Sequence, residues 1–459
     1  MKIGLAEHFN YKKLICFTIP TIIMMIFTSI YGVVDGLFIS NVEGSDAFAA
    51  VNLIMPFVMI LGSIGFMIGT GGSALVSKTF GEGDNEKANR IFSMLIFFLV
   101  GAGIILSIVG ITFLNPIAKL LGAKGEILTS SVLYGRVLLI ALVPFLLQNA
   151  FQSFLVTAEK PGFGLIISII AGVTNMVLDF LFIYVFRLGV VGAALATAIS
   201  QFVGGIIPFI YFLRKNRSML RLIKTKLDKK ALFQSCGNGS SEMLTNISTS
   251  LVNMLYNMQL MKLVGADGVV AYGIIMYVGF IFSGTYLGYS VGIAPIVGYH
   301  YGAGNKDELK NLFKKSLILI ITTSIIMTIL AEILSKTLAS IFVSYDANLL
   351  QMTTTAIRLF AISYIISGIN IFASSFFTAL NNGFVSALIS FLRTLVFQII
   401  MILVLPLILG LNGIWLAVVV AELLALIVSI TCFIVNRKKY EYISVSYTHL
   451  RAHETGRNL

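Results

Sequence analysis

The chain has 459 residues, of which 58% are hydrophobic and 11% charged, with a net charge of +12 and a mean hydropathy of +0.95. A soluble domain is about half apolar and about a quarter charged, so this composition excludes a water-soluble fold. The apolar runs are roughly 20 residues or longer, which points to membrane-spanning helices and not to the ~10-residue strands of an outer-membrane barrel.

The first long run, 18–40, enters directly from the N-terminus without a cleavage pattern, so no removable leader is expected. It carries one acid, Asp35, which is costly at the centre of a bilayer. Further runs follow near 50–77, 91–115, 132–157, 163–186 and 190–213. A second set lies near 232–261, 268–298, 316–343, 353–378, 384–409 and 412–435, and the first span begins near 14 and ends near 38. Basic residues alternate between the ends of these spans. One side holds 22 Lys and Arg, eight of them in the linker 214–230, and the other side holds five. By the positive-inside rule both termini are cytoplasmic, which requires an even number of spans, and twelve fits. The same asymmetry explains the net charge without nucleic acid. Cys16, Cys236 and Cys432 are too scattered to suggest a disulfide framework.

The two halves match at one fixed offset of 221 residues. Gly44, Asp46, Ala50, Ile54 and Met55 fall on Gly265, Asp267, Ala271, Ile275 and Met276. The loop GEGDNEKANRIF (81–92) falls on GAGNKDELKNLF (302–313). Thr157 and Ala158 fall on Thr378 and Ala379, and Gly189 and Gly192 fall on Gly410 and Gly413. The offset reads as gapless from the second span to the sixth. Six spans per half make a parallel repeat: a first lobe 10–213, a basic linker 214–230 and a second lobe 231–437 around a central cleft. That is a plan for alternating access. No selectivity-filter loop or ring of charge suggests a channel.

Four polar residues of the first lobe fall at similar depth: Asp35, Asn175, Asp179 and Thr197. Asn175 and Asp179 are spaced i, i+4 and share a helix face. Hard oxygen ligands of this kind suit Na⁺ or a proton. Read singly, Asn175 and Thr197 are expected more often as interhelical hydrogen-bonding groups, whereas for the two acids a working role and a bland one, such as Asp35 reaching the interface, weigh about equally. In the second lobe Arg393 and Glu422 fall near mid-depth of adjacent spans, where a structural ion pair is the plainer reading. Arg136, Arg358 and Glu332 lie nearer span ends, within reach of the interface. Glu242 lies near the inner mouth of the seventh span and faces water or substrate. No phosphate-cradling motif and no nucleophile–base constellation occurs, so the chain is not read as an enzyme.

The twelve-span duplicated plan, the loop GEGDNEKANRIF with its echo, and the first span with Ile19-Pro20 and YGVVDGLFIS (31–40) resemble the multidrug and toxic compound extrusion (MATE) transporters. The resemblance covers about residues 10–437 and is nearer the DinF-like branch. It implies a first-lobe cation site on Asp35, Asn175, Asp179 and Thr197, with H⁺ or possible Na⁺ as coupling ion and no other cofactor. It places Tyr134 behind that site and Tyr31, Asn149 and Gln152 on the cavity wall. It assigns Pro20 to a helix bend. The acids that the NorM-like branch carries in its second lobe are replaced here by Asn253, Ser374 and Ser375. The implied activity is antiport of amphipathic, cationic organic drugs across a bacterial cytoplasmic membrane by a monomer. A lipid-linked oligosaccharide flippase of the same superfamily is the main alternative, followed by a duplicated ion channel. The tail 444–459 turns polar and reads as non-native sequence.

Overall fold

The computed structural model describes residues 3–39, 42 and 45–443. Lys2, Gly44 and the tail from Ser444 lie outside the described residues. Among those described there are helices and no strands. The first lobe contains α1 (Tyr11–Phe38), α2 (Ser45–Gly81), α3 (Asn85–Leu120), α4 (Gly125–Ile140), α5 (Leu142–Thr157), α6 (Pro161–Asp179) and α7 (Gly189–Leu213). The second contains α8 (Lys229–Leu263), α9 (Ala266–Gly302), α10 (Lys306–Val343), α11 (Ala347–Ala361), α12 (Tyr364–Ala379), α13 (Gly383–Phe391), α14 (Phe397–Leu409) and α15 (Leu411–Tyr440). Two π-helical turns, Phe180–Val185 and Leu392–Val396, extend α6 and join α13 to α14. Six membrane crossings per lobe surround a central cleft.

Nine of these helical stretches are long and apolar enough to cross a bilayer, and the bent pairs α4–α5 and α11–α12 add two more. α8 is the twelfth. It has the length, 35 residues, but its composition is too polar to qualify alone. Lipid-facing surfaces are plain elsewhere: on α3, Ile105 and Ile108 are 63% and 62% exposed while Leu95 and Leu99 are fully buried.

Spans 4 and 10 depart from the runs expected at 132–157 and 353–378. They start earlier, at Gly125 and Ala347, and bend by 60° and 47°. Pro144 causes the first bend, because it has no N–H for the carbonyl of Ile140. The second bend has no proline. Ser363 N–H bonds Phe360 O at 2.9 Å, a tighter turn, and the carbonyl of Tyr364 accepts the Tyr286 hydroxyl at 3.1 Å.

The repeat is visible in equivalent caps. Asp84 accepts Lys87 N–H at 2.9 Å and Asn305 accepts Glu308 N–H at 3.1 Å. Such caps satisfy backbone donors that the first helical turn leaves unpaired. The gapless offset is corrected, however. The starts of α4 and α11, and the left-handed residues Glu159 and Asn381 after α5 and α12, lie one residue beyond it. Thr157 is therefore equivalent to Ala379, not to Thr378. One residue is gained between α10 and α11 and given up again before Gly410.

The lobes meet at the end of the bundle that carries the basic residues. Gly81 and Gly302 are repeat mates at the crossing of α2 and α9. A Cβ on Gly81 would sit 2.0 Å from Tyr299 O, and one on Gly302 would sit 1.9 Å from Lys78 O. α2 and α8 cross in the same way, where a Cβ on Gly239 would lie 1.8 Å from Met67 O. Below this crossing the N-terminal strap ties both lobes. Leu5 and Phe9 are fully buried. Leu5 N–H donates to Glu159 at 2.8 Å, and Phe9 N–H donates to Glu308 at 2.9 Å. Phe9, Leu14 and Phe17 pack with Ile293 and Phe313, so α1 starts among second-lobe side chains and runs from α9 to α6. Glu7, on the strap, is held below its ordinary value by the Gly4 N–H and then by Lys13, which bonds it at 2.5 Å. Its contribution is complete above the ordinary glutamate value and is lost as pH falls through the lower folded one.

Replacing Gly239 by Leu forces the α2–α8 backbones apart. Overpacking of this kind costs about 1–3 kcal/mol. The expected result is a melting temperature lower by several degrees in detergent and faster maleimide labelling of a cysteine placed at Ser77. An unchanged melting temperature and labelling rate would show that the crossing is not tight.

Candidate cation site

The predicted first-lobe residues converge from four spans. α6 can approach α1 because of Gly172, where a Cβ would lie 2.5 Å from the Phe27 ring. This close crossing brings the side chains of α1 and α6 together. Asp35 and Asp179 face each other within hydrogen-bonding reach. Asp179 and Asn175 are buried, and Asp35 is half-buried. Asp35 Oδ1, both Asp179 carboxylate oxygens and Asn175 Oδ1 are enclosed with no donor among the described residues. Ionised carboxylates only accept, so two in contact cannot bond each other. A proton or a metal ion between them removes the repulsion and satisfies the orphaned oxygens.

The surrounding groups hold this pair. Asn175 Nδ2 donates to Thr197 Oγ1 at 3.5 Å, and Tyr134, fully buried, lies in hydrogen-bonding reach of the same threonine. The Tyr31 hydroxyl reaches Gln148. α6 ends at Asp179 and its continuation is the π turn Phe180–Val185. A π turn widens the helix and shifts the register of the residues after it, and such turns are frequent at functional sites.

The remaining predictions scatter. Gln152 lines a cavity of ≈ 10 Å³ with Met24, Gln148 and Ser168, room for a single water. Asn149 turns away from the acids, and its Nδ2 donates to Gly62 O on α2 at 3.2 Å. Pro20 lies within α1, which is one continuous helix from Tyr11 to Phe38. Asn253 accepts the Tyr272 hydroxyl at 2.7 Å, Ser374 bonds Ser386 and Ser390, and Ser375 donates to Ser290 O. The polar groups at those second-lobe depths are therefore engaged with protein. Arg393 and Glu422 form an ion pair, with Nε 2.8 and 3.0 Å from the two carboxylate oxygens.

Two polar residues one turn from those selected were missed. Gln148 precedes Gln152 by one turn, and Gln201, buried with Oε1 unpartnered, follows Thr197 by one turn. The i, i+4 rule applied to the residues already selected would have found both.

A polytopic helical membrane protein with two like lobes and an enclosed acid pair in one of them has the architecture of a transporter. The MatE family model matches residues 20–181 and again residues 242–404, more than two thirds of the chain. The chain belongs to the MatE family. The double match repeats the duplication seen in the helices. Among curated proteins it is similar to the multidrug export protein MepA of Staphylococcus saprophyticus, with 27% identity over 413 residues, 90% of this chain and 91% of that one. MepA of Staphylococcus aureus is 25% identical over 413 residues with the same coverage. Among solved structures, a MATE protein in complex with MaL6 superposes with a TM-score of 0.90 at 22% identity, covering 95% of this chain and 98% of the other. An outward-facing multidrug resistance MATE family transporter superposes at 0.89, also at 22% identity with 95% and 98% coverage. At that identity the likeness is one of fold.

An amide in place of one carboxylate supplies the missing donor. Asp179→Asn is expected to raise the melting temperature by a few degrees at pH 8 in Na⁺-free detergent buffer, and to flatten its dependence on pH and Na⁺. A lower melting temperature at every pH would show that the two carboxyls are not a strained pair.

Proposed function

We propose that the protein is a secondary active multidrug exporter of the DinF-like branch. It moves amphipathic, cationic organic compounds out of the cell in exchange for H⁺ or Na⁺. The observation that carries this is the enclosed contact of Asp35 and Asp179. These are two acids from different spans with orphaned oxygens, a place that a small cation fills and empties. The basic end of the bundle is the cytoplasmic side, both termini lie there, and the membrane is the bacterial cytoplasmic one. The glycine crossings then close the cleft to the cytoplasm, and the opposite end gives the ion its way in.

In the working cycle, a cation arriving from outside bridges Asp35 and Asp179 and lowers the cost of burying them. Loading changes the contact between α1 and α6 at Gly172. Because α1 also packs along α9, that change is transmitted to the interface between lobes. Drug and ion then occupy the first lobe alternately. One monomer contains every part of this cycle.

Efflux of ethidium from reconstituted vesicles, driven separately by a pH gradient and by a Na⁺ gradient, tests the reading and selects the ion. Wild type is expected to respond to one gradient, and Asp35→Asn to lose at least tenfold in rate. Undiminished efflux in that variant would remove Asp35 from the mechanism.

A further inference from the structure

α8 is polar along much of its length. Glu242, Asn246, Thr249 and Asn253 recur at i, i+4, i+7 and i+11, the spacing of a single helical stripe. Gly239, on the same side one turn nearer the basic end, abuts Met67 of α2. The Glu242 end of the stripe therefore lies at the boundary between the lobes, immediately above the crossing that joins them.

Most of its polar groups are engaged. Asn246 Nδ2 donates to Glu242 O and Thr249 Oγ1 to Thr245 O, each at 2.8 Å, while Asn253 accepts from Tyr272. The half-buried Glu242 carboxylate has no hydrogen bond among the described residues. Arg393, on the π turn that packs against α8, lies near it, but its Nε–H donates to both carboxylate oxygens of Glu422. Glu422 is 3% exposed and is held in turn by Asn370 Nδ2 at 2.7 Å. Of these two acids and one arginine, Glu242 is the member that no hydrogen bond ties down. Ionisable groups persist inside a membrane where they line a path or bind something. The enclosed pair in the first lobe suits a small ion, whereas a half-buried acid at the boundary between the lobes suits a bulky one.

We propose that Glu242 determines specificity by holding the positively charged centre of the transported compound on the floor of the cleft, while the Arg393–Glu422 pair keeps the arginine from neutralising it. The inference rests on the exporter reading above and adds the residue of the second lobe that recognises the substrate's charge.

Equilibrium dialysis of radiolabelled tetraphenylphosphonium against the purified protein, with vesicle transport of the same cation, provides the test. Glu242→Gln is expected to raise Kd and KM at least tenfold with kcat within about threefold, at an unchanged melting temperature. Glu242→Asp is expected to bind within about threefold of wild type. Asp35→Asn is expected to bind the cation but not turn over. Wild-type affinity in Glu242→Gln would overturn the inference and leave the exporter reading standing. Equal loss in Gln and Asp variants with a lowered melting temperature would also overturn it, by showing a structural role. A folded wild type that neither binds nor transports the cation would take down both readings.

Discussion

The close approach of backbones at the basic end sets the geometry of the whole molecule. Where α2 meets α9 and α8, helices touch through glycines whose missing Cβ atoms would otherwise lie about 2 Å from a carbonyl oxygen, as at Gly81, Gly302 and Gly239. In a bilayer, apolar burial between helices gains little, so packing depends on small residues that let backbones come together. The strap through Leu5 and Phe9 reinforces the same end by bonding Glu159 of one lobe and Glu308 of the other. With one end fixed, the cleft has a floor, and everything that faces it is placed by distance from that floor. A structure that must open at this end has to separate contacts that are short-range and cooperative, which favours two discrete arrangements over a continuum.

The duplication built two scaffolds of one design and left their charge chemistry different. In the first lobe two carboxylates face each other with no cationic side chain among the described residues to pair them. In the second, Arg393 pairs Glu422, and Asn370 and Ser429 complete the hydrogen bonds around them. A hydrogen-bonded ion pair joins spans 10, 11 and 12, whereas the first-lobe acids are left without donors among the described residues. The position equivalent to Asp35 is Tyr256, which stacks on Tyr272 at 4.5 Å. Both π turns lie beside these charges.

Much of this could be read from the chain alone because the bilayer allows so few solutions. Backbone groups in lipid must pair internally, so apolar runs become helices, basic residues order their ends, and repetition at a fixed offset declares the lobes. The four residues of the acid site were likewise readable, from depth and i, i+4 spacing together with the family resemblance. What was misread has local causes. The bend at Ala141 comes from Pro144, and that at Ser363 from a tightened turn with no sequence marker. The one-residue slip of the repeat is hidden where loops and π turns absorb it. Asn149 was placed on the cavity wall, but its helix is rotated so that it bonds Gly62.

The sequence by itself determined the membrane class, the number of crossings, the duplication, and which acids stand in the apolar interior, because each follows from composition or periodicity along the chain. Only the tertiary structure decided which of those acids meet. Asp35 and Asp179 are brought together by the approach of α1 to α6 over Gly172. Arg393 is paired with Glu422, and the Glu242 carboxylate is left without a hydrogen bond among the described residues. Those outcomes depend on helix rotation and on gaps of a few ångströms between spans, which periodicity along one chain does not encode.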